Sequence, residues 1–598
     1  MSAPVEPELD IETRDDGTLV LRHPGSSEPV AGNLALLLLE RAATWPDQIL
    51  IAEKSDDVWR HLTYAQAVDG CRRVAQWLIN QGAGAERPLA ILSGASITHF
   101  LMAWGAVFAR VPSTPVSLSY SSVKGARPKL KAVLDRVQPG FLFADDWNSY
   151  DEALADIGWA GSNEVRIGAG AAVSIEDILR TEPTAAVDDS IAAITPDTIT
   201  RYMFTSGSTG MPKGVIVTHR MTCQMLASSA AVRNPLAPEA APRVLDWMPW
   251  SHVGAGLMRL ASMINAGGSI FLDDGKPTPE DFHKTITNLR EVKPTSFAGA
   301  PLGWSMLTDA LERDDGFARG FYENIQAMQA GSAAMPDSLA DRIQTLNEKY
   351  AGRRFPFGTS LLSTEVHCCT TKYWPSERTD IVGLPMPGAE LKLVPFGDKY
   401  ELRVRSDGVT PGYLGEPDKT RESFDEEGFF KMGDALRFAD PDDPLQGLSF
   451  AGRVAEEFKL ITGTWVSAGT LRADAIAAAS PWVRDVVVCG LNESFVSLLV
   501  WPNLNTTSEV AGTEEPLAIC AHPEVREKIA RGFQTHNLAN SGSSRTIRRF
   551  LLLPEPPDPG AYEITDKGYV NQSAVQTHRR EAVESLYAET PGSEVVVV

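Results

Sequence analysis

Short apolar runs alternate with longer amphipathic stretches through most of the first 440 residues, and this alternation narrows the available folds more than any other feature. Strand-length runs separated by helix-length ones pack as parallel sheets covered by helices, the α/β class. Leu89-Ala-Ile-Leu-Ser93 precedes a helical pattern over 98–110, and Gly267-Gly-Ser-Ile-Phe-Leu272 precedes one over 279–292. The apolar window 89–111 approaches the length of a membrane span, but His99 interrupts it and Pro112 and Pro115 follow, so it reads as a buried strand and a core helix. A chain of 598 residues, at ~100–200 per domain, divides into several core-forming units. The polar, turn-rich stretch 437–444 gives way to Leu448-Ser-Phe-Ala451, which places a boundary near 453–458. The expected organisation is an acidic tail (1–30), a large domain (31–455), a small domain (456–580) and a second tail (581–598).

Lys and Arg number 55 against 77 Asp and Glu, a formal net charge of −22. That excess repels polyanions at long range, which disfavours nucleic acid and anionic lipid surfaces while leaving room for a locally basic pocket that holds ATP. The six cysteines are scattered, with no CxxC pair, as expected of a reducing cytoplasm. The acidic start lacks the basic-then-apolar pattern of an export signal.

The chemistry concentrates in Tyr202-Met-Phe-Thr-Ser-Gly-Ser-Thr-Gly-Met-Pro-Lys-Gly-Val-Ile-Val-Thr-His219, where apolar runs flank a loop of hydroxyls, glycines and one lysine. Gly207 and Gly210 let backbone N–H groups approach phosphate oxygens, Thr205, Ser206, Ser208 and Thr209 add hydroxyl donors, and Lys213 adds charge. Pro212 before Lys213 and Gly214 after it exclude a Walker A loop, which needs Gly-Lys-Ser/Thr opening a helix.

This loop resembles the ATP-binding loop of the adenylate-forming superfamily of acyl- and aryl-CoA synthetases, luciferases and peptide-synthetase adenylation domains. Further matches follow in order. Gln329-Ala-Gly-Ser-Ala-Ala-Met-Pro336 resembles the adenine-side segment, in which Gly331, Ser332 and Ala333 would contact the nucleotide. Leu361-Leu-Ser-Thr-Glu365 is similar to the motif whose Thr364 meets phosphate and whose Glu365 holds Mg²⁺. Lys431-Met-Gly-Asp434 and Gly452-Arg453 resemble the ribose-binding positions, Glu456 stands at the hinge position, and Lys459 and Gly463 at the CoA tunnel. In Glu563-Ile-Thr-Asp-Lys-Gly-Tyr-Val-Asn-Gln572, Lys567 matches the catalytic lysine. The branch most resembled is feruloyl-CoA synthetase, through Asp246-Trp-Met-Pro-Trp-Ser-His252, Asp273-Asp-Gly-Lys-Pro-Thr-Pro279 and Phe458-Lys-Leu-Ile-Thr-Gly-Thr-Trp-Val-Ser467. Leu362 in place of glycine and Met432 in place of threonine depart from the family pattern.

The resemblance implies an α/β fold with a large N-terminal domain of αβ subdomains and a smaller mobile α+β C-terminal domain. It also implies an acyl pocket at His252, Val253, Gly299, Ala300 and Gly331. The segments 251–256, 297–301 and 329–332 carry no formal charge. An ammonium or a second carboxylate would therefore be buried unpaired, and a neutral, aromatic or hydroxycinnamic acid fits better. The expected function is an ATP-dependent acid–CoA ligase that uses Mg²⁺ and passes through an acyl-adenylate. The alternatives are activation of another bulky apolar acid, transfer to a carrier protein, and a non-catalytic nucleotide-binding homologue; a homodimer stays open. His367-Cys-Cys369 reads as core packing rather than a metal site, and the basic group Arg545, Arg548 and Arg549 as either a CoA contact or a solvated strand face.

Overall fold

In the computed structural model the residues described are 6–159, 164–206 (backbone alone at Ser206), 211–232, 241–278, 280–331, 335–558, 561–564 and 570–598. Parallel strands form where the alternation is strongest. Ile199–Ser206, Ser113–Pro115, Leu89–Ile91, Phe141–Asp146 and Val165–Ala169 run parallel in a six-stranded sheet closed by antiparallel Pro212–Thr218. The window 89–111 resolves into the strand Leu89–Ile91 and the helix Ile97–Phe108, capped by Ser96, whose hydroxyl accepts from the His99 N–H; Phe100 and Trp104 are wholly buried. No helix among the described residues is long and apolar enough to cross a membrane. A four-stranded sheet contains Arg243–Asp246, Ser269–Leu272 and Ile49–Ser55 in parallel, with Val58–Thr63 antiparallel at its edge. Ser296–Gly299, Ala327–Ala330 and Phe357–Gly358 make a third, wholly parallel sheet. The helix expected over 279–292 begins at Phe282.

The expectation of parallel sheets fails for the largest one. Nine strands, from Asp10–Thr13 at one edge to Ser360–Leu362 at the other, pair antiparallel throughout. Hairpins such as Ala389–Phe396 with Lys399–Ser406 need no crossover helix. The acidic start is not a tail either: Leu19–Arg22 pairs with Ala389–Phe396 and buries Val20 and Leu21 completely.

Beyond the sheet's Leu448–Arg453 strand, a short hairpin (Glu457–Lys459 with Trp465–Ser467) leads into a four-stranded sheet with its own apolar core. Its order is Val483–Cys489, Val496–Pro502, Ile547–Leu552 and Val595–Val597. Residues 581–598, expected as a tail, supply that last strand and most of the helix Arg580–Tyr587, because Leu586 and Val595 pack against Val487 and Leu499. The fold is α/β with a large N-terminal and a smaller C-terminal domain. All six cysteines are free; His367 and Cys369 are fully buried.

Candidate active site

The phosphate-type loop joins two antiparallel strands in which Lys213 faces Thr205 and Pro212 faces Ser206. Gly207, Ser208, Thr209 and Gly210, and the Ser206 side chain, lie outside the described residues, as do Ser332, Ala333 and Lys567. The hairpin fixes Lys213 at the loop mouth with its Nζ 5.9 Å from the centre of the Tyr413 ring. Burial, and then the nearby charge of Lys419, pull the Lys213 pKa below that of an ordinary lysine, against Glu365 and Glu416.

Tyr413 lies in a segment laid along the second strand of the hairpin, where Ile216 N–H donates to Gly412 O (3.0 Å) and Leu414 N–H to Gly214 O (2.8 Å). Its hydroxyl donates to Glu365 Oε1 at 3.1 Å, and burial and that carboxylate push the phenol pKa up, so it remains a donor. Thr410 N–H holds the Glu365 carbonyl (2.7 Å), and Thr364 is buried beside it. Lys419 pairs with Glu416 at 3.3 Å, and Arg136 binds Glu416 at 2.7 Å. Lys213 and Lys419 thus gather with the carboxylates of Glu365 and Glu416 beside the strands that flank the phosphate-type loop. No group of three His, Cys, Asp or Glu among the described residues could hold a metal by itself. A single carboxylate combined with substrate phosphates is the usual magnesium arrangement, so Glu365 fits that ion.

Asp434 and Arg453 are paired across adjacent antiparallel strands, with Arg453 Nε 3.0 Å from Asp434 Oδ1. The carboxylate is buried and the guanidinium half-exposed. After Arg453 a single turn (Val454–Glu456) opens the small domain, and burial raises the Glu456 pKa against Arg453 and Arg472. Beside it, Lys399 reaches from the large sheet to Glu457 Oε1 (2.5 Å), Ala451 O (2.9 Å) and Ser467 Oγ (3.3 Å). Lys459 is exposed over the Trp465 ring, and Gly463 turns the hairpin with φ +83°.

The positions expected to line an acyl pocket sit at the carboxyl ends of two parallel strands and in the turn that holds His252 and Val253. Gly299 pairs with Ala330, and Gly331 N–H donates to Gly299 O (3.3 Å). Among the described residues nothing lies within 4 Å of a Cβ on Gly331, whereas a Cβ on Gly299 would come within 3.3 Å of Phe297. His252 Nδ1 accepts from Gly254 N–H (3.2 Å), Ala300 is half-buried, and Val253 is buried. The following Gly254–Arg259 turn has π-helical geometry, and a Cβ on Gly256 would strike Trp250 O at 1.9 Å. Behind this turn is a charge the sequence reading missed. Arg201, on the strand that leads to the phosphate loop, donates from Nη1 to Gly256 O at 2.5 Å. It is buried, its pKa is pulled down to about 10, and no carboxylate among the described residues pairs with it.

Tyr413, Glu416, Lys419, Arg201 and Lys399 were not singled out from sequence. Gly412-Tyr-Leu-Gly-Glu-Pro417 signals only a turn, Lys419 follows it closely, and the partners of Arg201 and Lys399 lie far away along the chain. Arg549 braces the chain end, donating from Nη1 to Leu586 O and Ala588 O, so it is committed to structure.

A family model described as AMP-binding enzyme matches residues 38–414, and one described as AMP-binding enzyme C-terminal domain matches 459–591. A long-chain-fatty-acid–CoA ligase of Mycobacterium tuberculosis is 25% identical over 611 residues, spanning 93% of this chain and 97% of that protein. A human long-chain-fatty-acid–CoA ligase is 24% identical over 562 residues, 82% of this chain and 73% of that one. In fold, the chain is similar to the A domain of carboxylic acid reductase from Segniliparus rugosus, solved with AMP and a co-purified carboxylic acid (TM-score 0.71, 18% identity, 93% and 94% of the two chains).

Proposed function

The chain belongs to the AMP-binding enzyme family and is an AMP-forming acid–CoA ligase, and we propose from that premise that the acid it activates is uncharged and aromatic, of the hydroxycinnamate type. ATP, Mg²⁺ and CoA are its cosubstrates and metal. The observation that supports the nucleotide half is the gathering of Glu365, Tyr413 and Lys419 around Lys213, on the strand that follows the phosphate-type loop.

The acid's carboxylate oxygen attacks the α-phosphorus of ATP; a P–O bond forms, the bond to the β-phosphate oxygen breaks, and pyrophosphate leaves. Lys213 and Lys419 offset the phosphate charge, and Lys567 is assigned to the charge that grows at the α-phosphate and carboxylate. Glu365 would hold Mg²⁺, which when bound would supply positive charge against the phosphate oxygens. Asp434 accepts from the ribose hydroxyls beside Arg453. The small domain then turns about Glu456 and presents Lys459 and Gly463, and the CoA thiolate attacks the acyl carbon so that AMP departs.

The aromatic assignment is supported by the small residues at the strand ends, the space that the described residues leave beside Gly331 and the uncharged lining at His252, Val253 and Ala300. A panel of benzoates, hydroxycinnamates, fatty acids, amino acids and dicarboxylates, read by CoA-dependent AMP release, tests it. Hydroxycinnamates should give the highest kcat/KM; a fatty acid, succinate or an amino acid performing best would refute the aromatic reading. Pyrophosphate release without CoA consumption would instead indicate transfer to a carrier protein, and none with any acid would indicate a non-catalytic nucleotide-binding chain.

A further inference from the structure

The small domain touches the large one near the phosphate-type loop as well as at the hinge. Lys129, on the helix Arg127–Val137, is 3% exposed. Its Nζ lies 5.5 Å from the ring centre of Tyr120 in its own domain and 4.9 Å from that of Tyr562 in the small domain. The Tyr562 hydroxyl donates to Met211 Sδ at 3.4 Å, and Met211 immediately follows loop residues 207–210. Tyr562 is thus gripped twice by the large domain, through its ring face and through its hydroxyl.

The segment that presents Tyr562 is stiff. Glu563 is buried and accepts from Arg579 through both oxygens, at 2.8 and 2.7 Å, while its Oε2 also accepts from Asp558 N–H at 2.8 Å. A bridge between Ile564 and Val570 closes the base. Tyr562 itself holds φ +58°, a left-handed conformation that bulky residues rarely adopt and that persists where surrounding contacts fix it. Lys567 stands five positions after Tyr562, so the chain between them spans at most ~18 Å.

We propose that Lys129 and Met211 form a receiving site for Tyr562, and that this contact is a latch holding the small domain in its adenylate-forming orientation. Lys129 and Tyr562 are positioning residues: they touch no reacting atom and act by setting where Lys567 is delivered. The assignment rests on the ligase reading above. A domain turn for thioester formation must break both contacts and expose Lys129, whereas the Lys399–Glu457 pair next to the hinge can stay closed. The latch therefore favours the first half-reaction at the expense of the second.

The test separates the two halves in the full chain. Tyr562→Leu and Lys129→Met should each slow ATP–pyrophosphate exchange roughly 5- to 30-fold, the scale of a desolvated cation–π contact. Thioester formation from chemically made acyl-adenylate and CoA should stay at the wild-type rate or rise. Tyr562→Phe, which keeps the ring face, should retain most of the exchange activity, and the double variant should be little slower than the slower single. Unchanged exchange in both singles, or equal loss in both halves at an unchanged Tm, would overturn the latch. A donor–acceptor dye pair across the domains reads it without any substrate: Tyr562→Leu should shift the distance distribution, and an unmoved distribution would count against the latch. Were the wild type to activate no acid, the ligase reading would fail while the dye measurement still decided the contact.

Discussion

The hydroxyl of Tyr413 offers the sharpest test of the metal role given to Glu365, because Tyr413→Phe removes one oxygen and leaves the ring beneath Lys213 in place. A hydrogen bond to a charged acceptor contributes ~1.5–3 kcal/mol. At 3.1 Å this one is longer than the ~2.5–2.7 Å of the strongest hydroxyl–carboxylate bonds, which puts it at the low end of that range. About 1.5 kcal/mol corresponds to roughly a tenfold change in affinity, the lower edge of the ~10–100-fold lost when a residue orienting a metal ligand is removed. The Mg²⁺ concentration at half-maximal pyrophosphate release should therefore rise about tenfold, while kcat at saturating Mg²⁺ stays within ~2–3-fold. Removing the phenol also frees Glu365 from a competing donor, and if that effect dominated, the half-saturating Mg²⁺ concentration would fall. Glu365→Gln should raise it too, and adding Tyr413→Phe to that variant should change nothing more. An unchanged or lowered Mg²⁺ requirement in Tyr413→Phe would refute the argument that the phenol orients a metal-binding carboxylate.

Lys567→Ala should depress adenylate formation by ~10²–10³-fold, the scale of one preorganised donor to a developing oxyanion, and leave thioester formation from supplied acyl-adenylate near wild type; equal loss in both at an unchanged Tm would remove the assignment. Arg201→Met should raise KM for the acid by about tenfold and leave KM for ATP alone, since its hydrogen bond ends on the turn behind His252; a parallel rise for ATP would make it a general support of the sheet. Burial lowers His99, His219 and His367 to about 4 each, below the ~6.5 of an unfolded chain, so the unfolded state binds more protons over that interval and stability rises with pH. Stability should be complete above pH ~6.5 and decline toward pH ~4 by ~3 kcal/mol per histidine; a Tm that is flat from pH 7 to 5 would contradict this.

The sequence carried the local parts of this site well. Alternating apolar runs marked the parallel strands Leu89–Ile91 and Ser269–Leu272, and glycines and hydroxyls between two further apolar runs marked the phosphate-type loop. What it could not convey is which distant element each segment meets. The antiparallel sheet joins residues 10–22 to residues 389–406, and periodicity records burial on one face without naming the partner strand. For the same reason an acidic start read as a tail is a paired hairpin, and a final run of valines closes a sheet. Tyr413 and Glu365 are 48 positions apart and Lys399 and Glu457 are 58, so each looks ordinary where it stands.

The two attachments of the small domain differ in strength in a way that suits a turning domain. The Lys399–Glu457 pair is buried on both sides, and separating such partners leaves an uncompensated charge at a cost of ~3–5 kcal/mol. That is too much to surrender in each cycle, so the pair is suited to remain closed as a pivot beside Glu456. The Tyr562 contact is a cation–π face, at ~0.5–2 kcal/mol, plus a weak bond to a thioether. A bias of that size shifts a two-conformer equilibrium by no more than about 30-fold, which a ligand with modest preference for the other conformer can reverse. On the latch proposal, a strong contact at the hinge position and a weak one beside the phosphate-type loop would keep the domains joined, favour adenylation when the acid and ATP are bound, and leave the turn toward CoA within reach of binding energy alone.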